Sequence, residues 1–264
     1  MVISIVSLSK DSDSFLFFQL FSVLLQGIME TRMDRWKFLS GSWLKILAVV
    51  TMLIDHLAYF LWYDNPEFQT VLFSLRGREV TVWSLFRMIG RLAFPLFAFL
   101  LVEGFQHTRD RKKYGLNLFI FALISEIPWN LVHSGTLFYP RQNVMFTLLL
   151  GYLGLCALEY FREDKLRMTL SILVLFVVAF FARADYGYLG YAFILLLYVL
   201  RGNEVVRAVV GCAALPSHLI GGMAFIPIAF YNGERGFIKG PVAKYLFYAF
   251  YPVHLLVIWL IETH

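Results

Sequence analysis

Residues 43–63 read WLKILAVVTMLIDHLAYFLWY, and this stretch decides the fold. It is long and apolar enough to form a helix that crosses a lipid bilayer, which takes about 20 mainly apolar residues. Yet Asp55 and His56 stand side by side within it. A charged side chain near the centre of a membrane helix costs about 2.5–3.5 kcal/mol on insertion scales. Polar residues kept at such a depth indicate a functional site.

The composition of the whole chain is that of a membrane protein. Hydrophobic residues make up 59% of its 264 residues and charged residues only 16%, whereas about 25% of the residues in soluble domains are charged. We therefore predict an all-α fold, a polytopic transmembrane helix bundle of eight or nine spans. The predicted spans are residues 43–63, 83–106, 116–133, 143–161, 168–182, 186–200 and 244–261, with one or two further crossings in region 206–231.

Two regions depart from a simple succession of spans. We expect residues 1–42 to be an atypical N-terminal extension and a cytoplasmic lead-in, and residues 43–264 to be a single transmembrane bundle. Translation from Met33 is favoured over a signal-like segment, because no small-residue cleavage site follows the apolar run. In region 206–231, Pro216 and the two glycines at 221 and 222 interrupt the run. This pattern favours two short helices, tilted or re-entrant.

Basic residues are distributed unevenly between alternate loops. One set of alternate loops contains nine basic residues, which are Arg109, Arg111, Lys112, Lys113, Arg162, Lys165, Arg167, Arg201 and Arg207. The other set contains four, which are Arg76, Arg78, Arg141 and Arg183. The positive-inside rule places the richer set and the N-terminus in the cytoplasm. Basic residues in short loops between apolar spans are typical of contact with lipid headgroups, so a nucleic-acid partner is not expected.

Asp55 and His56 point to different neighbours, because consecutive side chains on a helix diverge by about 100°. His56 could accept a proton from an amine or a hydroxyl, since imidazole ordinarily titrates near neutral pH. Arg91 lies deep in the second predicted span and is the expected partner of Asp55. The pair either lines a polar cavity that binds an oxygen or is an ion pair that only joins two helices.

Further polar side chains cluster towards the predicted outer boundary. Several at one depth suggest a shared hydrated cavity, while helix-to-helix hydrogen bonds or a solvated turn are the alternatives. His254 follows Pro252 in the last span and could be structural, because proline frees a backbone carbonyl. The clustered residues are Glu126, Asn130, Asn143, Thr147, Asp185 and Tyr186.

Six segments, in this order, resemble the TraX family of membrane proteins over about residues 43–262. They are LKILAVVTMLIDH, IGRLAFPLFAFLLVEGFQHTRDRKKY, SEIPWN, QNVMFT, YNGERG and FYPVHL. Members of that family are associated with conjugal transfer, and the founding activity is acetylation of the N-terminus of F-type pilin. The resemblance implies a multi-pass protein of the bacterial cytoplasmic (inner) membrane.

The family is also distantly similar to multi-span acyltransferases that act on extracytoplasmic sugars. In those enzymes a basic residue, usually Arg, precedes a first-span histidine by ten intervening positions, as Lys45 precedes His56 here. Their basic motif at a cytoplasmic helix end resembles residues 109–112. The resemblance implies that Arg109, Arg111 and Lys112 bind the phosphates of acetyl-CoA.

The sequence thus predicts a membrane-bound acetyltransferase that uses acetyl-CoA, requires no metal, and modifies pilin or a glycan. His56 would act as general base or acyl carrier, with Asp55 and Arg91 orienting it or stabilising charge. A small secondary transporter and a non-catalytic envelope assembly protein remain alternatives. The residues predicted to bind substrate or donor are Lys45, Glu103, Arg109, Arg111, Lys112, Glu126, Asn130, Asn143, Thr147, Asp185, Tyr186 and His254.

Overall fold

The computed structural model describes residues 36–75, 78–215 and 219–263 of the chain. Most of the predicted N-terminal extension and the predicted break at Pro216 lie outside these residues. Within them the chain is mostly helical. The elements are α1 (Gly41–Phe60), β1 (Val71–Leu75), β2 (Arg78–Thr81), α2 (Val82–Gly90), α3 (Ala93–His107), α4 (Arg111–Ser134), α5 (Val144–Tyr160), α6 (Lys165–Ala182), α7 (Gly187–Val199), α8 (Glu204–Ala214), α9 (Leu219–Gly222), α10 (Phe225–Ala229) and α11 (Gly240–Thr263).

Five helical stretches in the described part of the chain are long and apolar enough to cross a membrane. They are α1, α4, α6, α11 and the combined stretch Val82–His107. The predicted membrane protein with several apolar helices is therefore confirmed. The predicted spans 143–161 and 186–200 are helices of 17 and 13 residues, so the expected total of eight or nine is not reached by length.

The connection after α1 contains a β-hairpin, which an all-α prediction did not include. Strands β1 and β2 pair antiparallel, with Ser74 opposite Glu79 and a bulge between Val71 and Phe73. β-Branched and aromatic residues in both strands favour this extended pairing. The hairpin leads directly into α2, whose first turn is stabilised by a capping box between Thr81 and Ser84.

The second predicted span is broken into α2 and α3 at Arg91 and Leu92. The backbone N–H groups of these two residues donate to carbonyls only three positions back, in a tightened turn. Pro95 explains the break, because its ring has no N–H to donate to the Arg91 carbonyl and collides with it in a regular helix. The break changes the direction in which Arg91 points relative to Arg87.

The connecting segments gather at two ends of the bundle. Segments 107–111, 160–165, 199–204 and 231–240 form what we call the basic end. Here Lys37 Nζ lies 3.1 Å from Glu204 Oε1, and the Gly41 N–H donates to the Glu234 carbonyl at 2.7 Å. Segments 61–81, 134–143 and 183–186 form the hairpin end, where a bridge joins Gln142 to Ala184.

Region 204–231 enters the bundle and returns at the same end. Helix α8 begins at the basic end beside Lys37, and the chain after α10 pairs with Leu39 through the Phe230 carbonyl and the Asn232 N–H. This course agrees with the predicted pair of short helices. It also starts α11 at the basic end, so that α1 and α11 run in the same direction.

Helix α3 lies at the centre of the bundle, and α6 lies at its surface. Leu96, Phe99 and Phe105 of α3 are almost completely buried. In contrast, Leu173 and Phe181 of α6 are exposed, and Ala179 is the buried residue of that helix. Such an apolar outer face suits contact with lipid chains rather than with water.

Candidate functional site

A cavity of about 740 Å³ lies inside the bundle between α1, α3 and α11. One face of α1 forms a wall of it, through Gly41, Lys45, Val49, Met52 and His56. These residues are three or four positions apart, so they lie above one another on the helix. From Gly41 at the basic end to His56 the helix rises by about 22 Å. The cavity therefore extends from the basic end to Asp55 and His56, inside the bundle.

Four basic side chains line the part of the cavity at the basic end. They are Lys45, Arg109, Arg235 and Lys244, from four separate parts of the chain. None of them forms an ion pair within 4 Å among the residues described in the structure. This end of the cavity is therefore suited to bind an anion with several charged groups. Glu103, one of the predicted binding residues, also lines the cavity.

At the inner end, His56 forms a hydrogen bond with His254. His56 Nδ1 lies 2.7 Å from His254 Nε2, and the two rings are nearly coplanar, with an angle of 4° between them. His254 Nδ1 lies 2.8 Å from the Phe250 carbonyl. The two histidines differ in access to the cavity. His254 is buried, with 6% of its surface exposed, whereas His56 lines the cavity.

These contacts determine where the protons of the neutral rings lie. A carbonyl only accepts hydrogen bonds, so His254 Nδ1 carries a proton and its Nε2 is an acceptor. His56 Nδ1 must then donate to that acceptor. The remaining nitrogen of His56, Nε2, is left with a free lone pair. His56 is thus prepared to accept a proton or to act as a nucleophile at the inner end of the cavity.

The structure gives Asp55 a different partner from the predicted one. Arg87 Nη1 lies 2.6 Å from Asp55 Oδ1 and also donates to the Asp55 carbonyl at 3.2 Å. The predicted Asp55–Arg91 pair is therefore wrong, because the break before α3 turns Arg91 away from the face that carries Arg87. Gly90 permits this close packing, since a Cβ atom there would overlap the Asp55 carboxylate.

Arg91 is directed towards the turn between α6 and α7. It hydrogen-bonds Tyr186 and its charge also acts on Asp55 and Asp185. Both Asp185 and Tyr186 line the cavity. Burial raises the pKa of Asp185, which lies in the turn, to about 6.

Tyr186 has an unusual backbone conformation, with a φ of 63°. A non-glycine residue in this region is strained by about 1–3 kcal/mol and persists where its surroundings hold it. Its ring stacks on Phe94 at 3.8 Å between centroids. The Thr147 hydroxyl donates to the Asp185 carbonyl and holds the same turn. The turn is therefore held firmly at the inner end of the cavity.

Among the predicted binding residues that do not line the cavity, four lie on α4 or at the start of α5. The Asn143 side chain donates to the Ala122 carbonyl at 2.9 Å, and its backbone N–H donates to Glu126 Oε1 at 2.9 Å. Asn130 donates to the Leu137 carbonyl. These contacts, together with that of Thr147, join helices and turns, which was the alternative interpretation. We call Glu126, Asn130, Asn143 and Thr147 the α4–α5 junction.

The predicted phosphate-binding residues are divided between two places. Arg109 lines the cavity, whereas Arg111 and Lys112 line a separate groove on the outside of the bundle. Arg235 and Lys244, which the sequence did not single out, occupy the cavity instead. A signal was present, because two crossings in region 206–231 bring both residues to the basic end. No sequence spacing predicts the contact between His56 and His254, because the two residues are 198 positions apart.

The family model described as "TraX protein" matches residues 40–262, which include every residue of the cavity. The chain belongs to the TraX family. Its relatives include the "Probable fimbrial assembly protein FimC" of Dichelobacter nodosus, 30% identical over 242 residues, which cover 80% of this chain and 91% of that protein. An uncharacterised protein of Rickettsia prowazekii is 29% identical over 121 residues, 46% of this chain and 37% of that protein. No solved structure matches the chain.

The match to the TraX family extends over the two histidines as well as the basic end. Lys45, His56 and Arg109 lie within the matched residues, and so do Arg235 and His254. The cavity is therefore formed entirely from the part of the chain that belongs to the TraX family. The similar protein of Dichelobacter nodosus is itself named for fimbrial assembly.

Proposed function

We propose that this TraX-family protein is an integral membrane acyltransferase that moves an acetyl group from acetyl-CoA to an amine or hydroxyl acceptor. The observation that carries the proposal is the His56–His254 pair at the inner end of a cavity whose other end is lined with basic side chains. A hydrogen-bonded histidine with a free nitrogen suits proton removal from a nucleophile.

The basic end suits the donor. Acetyl-CoA carries several phosphate groups at one end and a reactive thioester at the other, so it needs separated sites for charge and for chemistry. Lys45, Arg109, Arg235 and Lys244 offer cations from different directions, and both arginines can bind phosphate through two parallel hydrogen bonds. The rise of about 22 Å along α1 gives an elongated donor room to reach His56.

The proposed transfer proceeds at the His56 end of the cavity. An amine nitrogen attacks the carbonyl carbon of the thioester, an N–C bond forms, and the C–S bond breaks. The proton lost by the amine passes to His56 Nε2 and leaves on the thiolate sulfur, which departs as the free thiol of coenzyme A. His254 would stabilise the charged His56 ring by accepting the hydrogen bond from Nδ1. The Tyr186 hydroxyl, with Arg91 hydrogen-bonded behind it, would stabilise negative charge on the carbonyl oxygen.

The relatives favour a protein acceptor. The founding TraX activity is acetylation of a pilin N-terminus, and the relative from Dichelobacter nodosus is named for fimbrial assembly. We therefore propose the N-terminal amine of a pilus subunit as acceptor, with a glycan hydroxyl as the alternative. The proposed location is the bacterial inner membrane, with the basic end in the cytoplasm where acetyl-CoA is made.

The proposal is tested by measuring acetyl transfer with the purified protein in lipid nanodiscs. Radiolabelled acetyl-CoA and pilin peptides with free or blocked N-termini serve as donor and acceptors. His56→Ala should lower the rate by about 100- to 10,000-fold, which is the usual contribution of a general base. His133→Phe is a matched control, because His133 does not line the cavity. Full transfer by His56→Ala would refute the assignment of the base.

A non-catalytic role in pilus assembly is the second candidate, and the name of the relative from Dichelobacter nodosus favours it. The two roles separate in a strain that lacks this protein. If the protein only assists assembly, the His56→Ala variant restores the number of assembled pili to the wild-type level, and the pilin N-termini are unmodified with either protein. If it is an acetyltransferase, mass spectrometry of pilin finds the acetyl group with the wild-type protein and not with His56→Ala.

A further inference from the structure

A groove of about 490 Å³ lies on the outside of the bundle between α4 and α5, apart from the cavity. Its walls are apolar, and Leu116, Phe119 and Leu153 are 56%, 44% and 40% exposed. Helix α4 is long enough to cross a membrane. These side chains therefore face lipid rather than water, and the groove is open to the acyl chains of the bilayer.

Two basic residues lie at the end of this groove that faces the basic end of the bundle. They are Arg111 and Lys112, in the first turn of α4. The Arg111 guanidinium lies 4.4 Å over the ring of Phe105, and the Arg111 carbonyl accepts a hydrogen bond from the Tyr152 hydroxyl at 2.7 Å. The position of Arg111 is thus well determined, while Lys112 is exposed.

Within the described chain, Arg111 and Lys112 have no acidic side chain at ion-pair distance, since the carboxylate of the adjacent Asp110 accepts from the Lys113 N–H instead. Neither forms an ion pair within 4 Å in the part of the chain that the structure describes. A nearby turn at the same end behaves differently. There, Arg162 Nε lies 3.0 Å from Glu163 Oε1, and Arg167 Nε lies 3.1 Å from Asp164 Oδ2. The groove, unlike that turn, therefore combines an apolar surface with cations that have no ion-pair partner among the described residues.

Gly115 contributes to the shape of the groove. It lies one turn after Arg111, and a Cβ atom at this position would approach a ring carbon of Tyr152 to 3.1 Å. The absence of a side chain lets Tyr152 form the base of the groove close to the α4 backbone. The groove thus extends inwards directly beside the two cations.

We infer that this groove binds an anionic phospholipid, with the phosphate at Arg111 and Lys112 and one acyl chain along Leu116, Phe119 and Leu153. Basic residues next to a membrane span attract anionic headgroups, and the effect falls off within about one Debye length, so the contact must be close. A lipid supplies both features that the groove needs, an anion and a chain. The inference does not depend on the proposed acetyl transfer.

Native mass spectrometry of the detergent-purified protein tests the inference. Phosphatidylglycerol and phosphatidylcholine with identical acyl chains are titrated in parallel. We expect the anionic lipid to bind more tightly, and R111Q/K112Q to weaken its binding by about tenfold or more, since each basic residue near a headgroup contributes a several-fold effect. Binding of phosphatidylcholine should stay unchanged in that variant.

Two further variants make the experiment specific. R162Q/R167Q removes two charges from the same end and should leave phosphatidylglycerol binding unchanged. R111K/K112R keeps the charges and should retain the preference for the anionic lipid, and the single variant K112Q provides the test if R111Q/K112Q does not fold. Equal affinity for both lipids would overturn the inference. So would equal losses in R111Q/K112Q and R162Q/R167Q, or displacement of the lipid by glycerol 3-phosphate at similar concentration.

Discussion

Two clusters of polar side chains lie inside this bundle, and they differ in how their hydrogen bonds are used. At the α4–α5 junction, the Asn143 side chain donates to the Ala122 carbonyl and to the Glu126 carboxylate, and the Thr147 hydroxyl donates to the Asp185 carbonyl. At the inner end of the cavity, His56 keeps a free ring nitrogen. We call the second set the cavity cluster. It consists of Asp55, His56, Arg87, Arg91, Asp185 and His254.

The difference shows how polar residues in a membrane helix divide into structural and functional groups. A polar side chain whose hydrogen bonds are made to neighbouring helices and turns stabilises their contact and has few groups left for a ligand. A side chain that is held by one hydrogen bond and has a second polar atom free can act on a ligand. The depth of a residue in the span does not separate the two cases, because both clusters include residues towards the hairpin end of the bundle.

The largest expected effect on stability concerns the ion pair of the cavity cluster. Arg87→Leu leaves the largely buried Asp55 carboxylate, whose side chain is 19% exposed, without its ion-pair partner. Breaking a fully buried pair costs about 3–5 kcal/mol, so the loss here should reach the lower part of that range. Thermal unfolding in detergent measures the loss. The double variant D55N/R87L should recover much of it, because no unpaired charge remains. Equal destabilisation of both variants would mean that the side chains matter by packing rather than by charge.

At the α4–α5 junction, Asn143→Ala should lower stability by about 1–3 kcal/mol without changing the activity of the folded protein. It removes hydrogen bonds to the Ala122 carbonyl and to the Met145 N–H from a completely buried site. Gln142→Ala, one residue earlier, is the control. A loss of the proposed acetyl transfer per folded molecule would instead assign Asn143 to the cavity cluster.

Replacing the partner of His56 should lower the rate of the proposed acetyl transfer by about 10- to 100-fold. His254→Phe keeps an aromatic ring in the buried site but removes the nitrogen that accepts from His56 Nδ1. The rate should fall while KM for acetyl-CoA stays constant, because His254 does not line the cavity. A selective rise in KM would instead place His254 in donor binding, as the sequence suggested.

The smallest expected effect is a pH dependence that comes from Asp185. Its pKa of about 6 lies above the usual value of about 3.9 in an unfolded chain. The folded protein therefore binds this proton more tightly, and its stability falls as pH rises from about 4 through about 6. In Asp185→Asn the unfolding midpoint should fall less over the same range. An identical pH profile for both proteins would exclude this contribution.

The sequence predicted the components of the cavity better than their partners. Long apolar stretches and positional spacing were enough to find the helices and to place Asp55 and His56 inside one of them. The choice between Arg87 and Arg91 depended on a helix break at Pro95, which a regular helical spacing does not include. The contact between His56 and His254 joins residues 198 positions apart, and its geometry arises only from packing.

The division of the basic residues was also beyond the sequence. Arg109, Arg111 and Lys112 are neighbours in the chain, yet a short turn before α4 places the first in the cavity and the other two on the outside. The composition of such a turn shows its charge, but not which of its side chains face the cavity and which face the outside of the bundle. Similarly, the hairpin of β1 and β2 arises from strand pairing that a search for apolar spans overlooks.

Because region 204–231 leaves and re-enters the basic end, it determines the direction in which α11 runs. Helices α1 and α11 both start at the basic end, and His56 lies 15 positions after Gly41, while His254 lies 14 positions after Gly240. At about 1.5 Å per residue the two rings come to the same level. One additional crossing would invert α11 and leave the histidines at different heights. An insertion that turned the excursion into a full crossing would thus abolish the pair while every helix stayed intact.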